Sequence, residues 1–203
     1  MSNRRINLPK ASPTLFDFAW PAALLMLVAA LIVWQFSIPW TWHGSLGWWS
    51  SLYGASFGVL LYVAVLLPSN YIFKNWPSIR RLYRQLTRLF KDITWPGIVL
   101  LSFLAGFGEE LLFRVVLQGG LTPYLGDVAA LVLASMVFGV MHFLSKAYVL
   151  MTFVLGLVLG MAYLWTQSYL LVAMAHFVYD ICAFAVIVKY PDYLLDDPVK
   201  QSL

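Results

Sequence analysis

The chain has 203 residues, 62% of them hydrophobic and only 11% charged, with a formal net charge of +4. It is far more apolar than an ordinary soluble domain, and Cys182, the only cysteine, excludes an intrachain disulfide. A bilayer core takes roughly 20 apolar residues per helix, so this length predicts an all-α bundle of about six spans. Residues 1–203 read as one integral-membrane domain.

A short polar segment with Arg4, Arg5 and Lys10 precedes the first apolar run, Phe18 to Phe36. That run is too long for a signal-peptide core, and SIPWTW after it lacks a small-x-small cleavage site. It reads as an uncleaved first helix. Ser37 to Trp49 follows, with Trp40, Trp42, Trp48 and Trp49 but no Lys or Arg, the composition of a membrane–water interface. His43 lies there and is assigned no role. A second span covers Ser50 to Leu67.

The connection from Pro68 to Pro96 carries Lys74, Arg80, Arg81, Arg84, Arg88 and Lys91. Ile79, Leu82, Tyr83, Leu86, Leu89 and Phe90 recur at helical spacing opposite the basic residues. The pattern predicts an amphipathic helix over residues 74–91 lying on an anionic leaflet; it reads as a cytoplasmic surface helix rather than a nucleic-acid site. The remaining spans are Gly97–Gln118, Val128–Leu144, Tyr148–Thr166 and Tyr169–Val188. Lys and Arg fall before the first span, in the second and fourth loops (Lys146 in the latter), and at Lys189 and Lys200. The first, third and fifth loops have none, which predicts both termini in the cytoplasm. Gly156 and Gly160 form a GxxxG that permits close approach of a neighbouring helix.

Ionisable groups in a lipid-spanning helix are expensive and normally face a bundle interior. The stretch AGFGEELLFRVVL, Ala105 to Leu117, carries Glu109, Glu110 and Arg114. Glu110 and Arg114 (i, i+4) share a helix face and can pair, leaving Glu109 pointing about 100° away. The fourth span places Phe138 and His142 on one face, and the sixth does the same with His176 and Asp180. Each pair alone has a structural reading, as an ion pair, a hydrogen-bonded core histidine or an interhelical clamp. Together they place polar chemistry on three otherwise apolar helices.

EELLFR, FGVMH and HFVYD resemble the EExxxR, FxxxH and HxxxN/D motifs of the CAAX-protease and bacteriocin-processing family, in that order. The resemblance covers about residues 97–188, the expected catalytic core. It implies a glutamate-type intramembrane endopeptidase without a cofactor or bound metal. Glu109 would activate water, assisted by His142, while Glu110 and Arg114 would orient the site. His176, with Asp180, would stabilise the oxyanion. The motif often ends in Asn, and an ionised Asp180 would repel an oxyanion, so Asp180 is expected to accept from His176 and fix its tautomer. The implied substrate is a membrane-anchored, lipidated or precursor protein or peptide in a prokaryotic cytoplasmic membrane. Two alternatives stay open: Glu109, His142 and His176 can bind Zn²⁺, and a non-enzymatic scaffold, immunity protein or transporter can also bury carboxylates.

Depth poses a difficulty. Glu109 lies roughly 18 Å in from Gly97, but His142 only about 5 Å in from its own helix end. Their meeting requires tilted helices, shifted boundaries or a fourth span running past Lys146.

Overall fold

A computed structural model describes residues 13–71 and 76–191; the expected basic residues Arg4, Arg5, Lys10, Lys74 and Lys200 lie outside them. All regular structure among the described residues is helical. The helices are α1 (Leu15–Phe36), α2 (Ser50–Tyr71), α3 (Pro77–Phe90), α4 (Trp95–Glu110), α5 (Gly120–Leu125), α6 (Asp127–Met141), α7 (Lys146–Thr166) and α8 (Tyr169–Phe184). A 3₁₀ segment, Gly44–Trp49, leads into α2. The π-helical segments Leu111–Gly119 and Ala185–Lys189 continue α4 and α8 without a break.

Leu15–Phe36, Gly44–Pro68, Lys146–Thr166 and Tyr169–Lys189 are each long and apolar enough to cross a membrane. The chain is thus a multi-pass membrane protein. The other two expected spans are not among these four. The third carries the charged motif at the point where α4 becomes π-helical. In the fourth, α6 is apolar but only 15 residues long.

The helix α8 is the central strut, packed against α2, α4 and α7, while α1 packs on α4 and α6 on α7. Glycines set the tightest of these contacts. A Cβ on Gly58 would lie 2.3 Å from the Ala175 carbonyl oxygen, and one on Gly106 2.6 Å from the Phe177 nitrogen. At the outer end, Tyr169 N–H donates to the Thr41 carbonyl and Leu170 N–H to that of Trp42, tying the first loop to the α7–α8 turn. Gly44 (φ +57°) passes so close to Thr166 that only glycine fits. The His43 ring packs at a tilt against Trp48, centroids 4.4 Å apart, and takes no part in the site.

The amphipathic segment is helical, but its apolar face is turned inward. Ile79, Leu82, Tyr83 and Leu86 are buried, and Ile79 and Tyr83 pack with Leu66, Ala147, Met151, Val186 and Ile187. The Thr87 hydroxyl donates to the Ile187 carbonyl at 3.0 Å. This face therefore meets the bundle and not the lipid expected from sequence; Arg81, Arg88 and Lys91 remain exposed on the other side.

The helix α3 also explains how the depth difficulty resolves. The fourth span does not run past Lys146, because α6 ends at Met141 and α7 starts at Lys146. The start of α4 instead lies beside the end of α8, where Lys189 Nζ donates to the Ile93 carbonyl at 2.6 Å. The α6–α7 turn stops deeper, level with Glu109, and α3 packs against the first turns of α7 below it.

Candidate active site

Thr94 caps α4 by accepting from Gly97 N–H at 3.4 Å, and the apolar helix then carries Glu109 and Glu110 into the bundle. A π-helix is wider than an α-helix and recurs at functional sites. Here the widening begins at Leu111, directly after the glutamates. The Tyr169 hydroxyl donates to the Phe107 carbonyl at 2.8 Å, pinning the turn just before that transition.

Glu110 and Arg114 are fully buried, with Arg114 Nε donating to Glu110 Oε2 at 2.7 Å. The second oxygen, Glu110 Oε1, lies 2.9 Å from His176 Nδ1. One carboxylate thus joins α4 to α8 through a cation on one side and an imidazole on the other. The guanidinium also lies over the Phe138 ring, 5.5 Å from its centre. Beyond it, Gln118 Nε2 donates to the Gly160 carbonyl at 3.0 Å. A Cβ on Gly160 would lie 2.6 Å from Gln118 Oε1 and 3.3 Å from Arg114 Nη1. The second glycine of the GxxxG therefore makes room for this polar column, whereas Gly156 faces Ser135 and Phe138 of α6.

Glu109 points away from that pair, toward the end of α6. Its Oε2 lies 3.5 Å from His142 Nε2, with the two side chains 20% and 25% exposed. His142 Nδ1 is 2.8 Å from the Phe138 carbonyl oxygen, which can only accept. Nδ1 therefore carries a proton, and in its neutral form the ring turns the Nε2 lone pair toward Glu109, so that two acceptors face each other at a spacing longer than a hydrogen bond, which a bridging donor can span. The Phe138 ring fixes the neighbourhood, with centroids 4.5 Å from His142, 5.9 Å from His176 and 4.9 Å from Phe113.

The six residues singled out from sequence thus converge. The correction concerns the partner that orients His176. Its Nδ1 is taken by Glu110, while Asp180 Oδ2 stands 3.7 Å from Nε2, too far for a hydrogen bond. Glu110, not Asp180, orients the ring. Sequence reading also missed three residues. Gln118 extends the Glu110–Arg114 ladder by another four residues, a signal that was available. Tyr169 carried none beyond its aromaticity. Tyr148, in the first turn of α7, lies outside every motif; its ring is edge-on to His142 with centroids 6.2 Å apart.

Among the described residues, no three His, Cys, Asp or Glu side chains group in a way that could hold a metal ion. Glu109 and His142 form one pair, and His176 is committed to Glu110.

Comparison with known proteins places this constellation. The family model described as "Type II CAAX prenyl endopeptidase Rce1-like" matches residues 91–182, which include all six motif residues. The chain is 33% identical over 140 residues to "Uncharacterized protein YpbD" of Bacillus subtilis (strain 168), covering 66% of this chain and 68% of that protein. No solved structure matches. With this relative and this profile match over the motif residues, the chain belongs to the Rce1-like family of type II CAAX prenyl endopeptidases.

Proposed function

We propose that the protein is a membrane-embedded endopeptidase that hydrolyses a peptide bond of a membrane-anchored, lipidated or precursor substrate with a water activated by Glu109. The observation that carries this reading is the pair of acceptors, Glu109 Oε2 and His142 Nε2, facing each other at 3.5 Å. A water between them donates one O–H to each and turns an oxygen lone pair outward to the scissile carbonyl. Glu109 takes one proton as the oxygen attacks, and general base catalysis of this kind contributes about 10²–10⁴-fold. The carbonyl π pair moves onto oxygen. The oxyanion then accepts from His176 Nε2–H, a donor held in place before reaction. For Nε2 to donate while Nδ1–H is held by Glu110, His176 works as an imidazolium, its charge balanced by Glu110 and Asp180 on either side. Collapse breaks the C–N bond, and the departing amine takes the proton from Glu109.

Glu110 and Arg114 act as positioning residues: their buried bond holds the carboxylate that orients His176. The Lys and Arg distribution supports placing both termini, and α3, in the cytoplasm. Lys146 and Lys189 fit that side, and the tryptophan-rich first loop fits the other.

The test is cleavage of membrane-anchored precursor peptides by purified protein in liposomes, with products read by mass spectrometry. Wild type and Glu109→Gln are compared with and without a strong chelator. The expected result is cleavage by wild type that is indifferent to chelator and abolished in Glu109→Gln. Activity lost on chelation and restored by zinc would replace this reading with a metalloprotease, and activity persisting in Glu109→Gln would remove Glu109 from its role.

A further inference from the structure

We propose that Tyr148 is a catalytic residue, donating its phenolic hydrogen to the developing oxyanion opposite His176. The proposal rests on the hydrolytic reading above. It starts from a shortage of donors. Three carboxyl groups, Glu109, Glu110 and Asp180, converge on this site, and Arg114 is buried behind Glu110 with its Nε committed there. An oxyanion adds a further negative charge. The N–H offered by His176 Nε2 has Asp180 Oδ2 for a neighbour at 3.7 Å, so a carboxylate, though beyond hydrogen-bond range, stands beside the place the oxyanion would take. Asp180 itself, when ionised, accepts only.

Tyr148 is placed to make up the shortage. It starts α7 two residues after Lys146, and the four-residue α6–α7 turn returns it beside His142, rings edge-on at 6.2 Å. Its hydrogen bonds among the described residues run through the backbone: its N–H donates to Ser145 Oγ at 3.2 Å, and its carbonyl accepts from Thr152 Oγ1 at 2.8 Å. The ring thus stands partly buried beside His142, its hydroxyl makes no hydrogen bond among the described residues, and its backbone is anchored on both sides. A tyrosine hydroxyl donates one hydrogen and stays neutral at working pH, so it stabilises negative charge without adding a titrating cation to a site rich in carboxylates. In the attack step it loses no proton. Its O–H bond shortens its contact to the carbonyl oxygen as charge develops and relaxes when the C–N bond breaks.

The experiment is steady-state cleavage of a membrane-anchored peptide in liposomes by wild type, Tyr148→Phe, Asp180→Asn and the double variant, with Glu109→Gln as the chemical control. Thermal unfolding of each is recorded in the same liposomes. Removal of one oxyanion donor is expected to lower kcat by roughly 10²-fold, with KM and the unfolding temperature of Tyr148→Phe unchanged. The Asp180→Asn amide supplies a donor of its own, so the Tyr148→Phe loss shrinks to a few-fold in that background. A phosphinic peptide, which carries the tetrahedral oxyanions, is expected to bind Tyr148→Phe more weakly, while the parent peptide binds as before. Ser145→Ala, which loosens the same helix start, lowers the unfolding temperature without this kcat signature. Retention of kcat in Tyr148→Phe within about threefold overturns the proposal and leaves the Glu109 reading intact. So does an equal loss in both Asp180 backgrounds accompanied by a fall in unfolding temperature, which marks a packing role. Glu109→Gln as active as wild type overturns the hydrolytic reading and this proposal with it.

Discussion

Replacing Gly106 with alanine probes how finely the spacing of α4 and α8 is set. The new Cβ would lie 2.6 Å from Phe177 N, 2.8 Å from Phe177 Cα and 2.9 Å from the Ala173 carbonyl oxygen. All three are backbone atoms, so the clash is relieved only by moving a helix. Ordinary contact begins near 3.4 Å, which demands an opening of about 0.8 Å. Phe177 adjoins His176, and Gly106 lies one helical turn before Glu110, so the displacement acts on the 2.9 Å Glu110–His176 hydrogen bond. Lengthened by that amount it reaches about 3.7 Å, outside bonding range. Losing a hydrogen bond to a charged group costs about 1.5–3 kcal/mol, and a misplacement near 1 Å can lower activity about 10²-fold. Gly160→Ala is the internal comparison, because its Cβ would meet Leu131 Cδ1 at 2.4 Å and Gln118 Oε1 at 2.6 Å, the ends of side chains that can rotate away. The assay is cleavage rate together with thermal unfolding for both variants in one detergent. The expected order is a loss near 10²-fold for Gly106→Ala and a much smaller one for Gly160→Ala. Gly106→Ala turning over within a few-fold of wild type, or the reverse order, would refute the claim that α4–α8 spacing controls the site.

Arg114→Leu removes the guanidinium from buried Glu110 and leaves His176 as its one remaining partner; breaking a buried pair in this way typically destabilises by about 3–5 kcal/mol. Adding Glu110→Gln is expected to recover most of that stability but none of the activity, read by unfolding temperature and peptide cleavage. Leu82, 1% exposed on the inner face of α3, anchors that helix to the bundle. Leu82→Ala is expected to weaken the docking by about 2–5 kcal/mol. Hydrogen exchange should then show the α3 amides opening faster while those of α8 are unchanged. Equal protection in both helices would mean that α3 is held by other contacts.

The helical class was legible because apolar runs of spanning length leave few other readings, and the site because charged residues in such runs stand out. Glu110–Arg114 followed from i, i+4 geometry alone, and the pair meets at 2.7 Å. What the sequence left hidden was relative depth. Nothing in residues 128–146 marks how far the α6–α7 turn is set back into the bundle, since that depends on α3 packing against it from another part of the chain. For the same reason the apolar stripe of α3 was legible but its partner was not: a periodic face looks the same whether it meets lipid or protein. The partner of His176 was misjudged because i, i+4 neighbours are visible in sequence and cross-helix ones are not. Asp180 is the local candidate, and Glu110, 66 residues away, is the one that bonds. Tyr148 had no pattern around it at all.

The shortness of α6 bears on the bilayer itself. Fifteen residues span about 22 Å, against a hydrocarbon core of about 30 Å. A membrane meeting so short an element thins locally or lets its interfacial layer dip inward. Val140, Met141, Phe143 and Leu144, all exposed around the end of α6, meet that depression on the flank where His142 and Glu109 lie. Headgroups and their hydration would thereby be drawn toward the carboxylate along one side of the bundle. The proposed substrate, a chain tethered in the leaflet, would then come to Glu109 by lateral diffusion, with little vertical displacement of its polar backbone. Bilayers of differing acyl length would accordingly change how often such a tether and the depression meet while leaving the bond-breaking residues untouched.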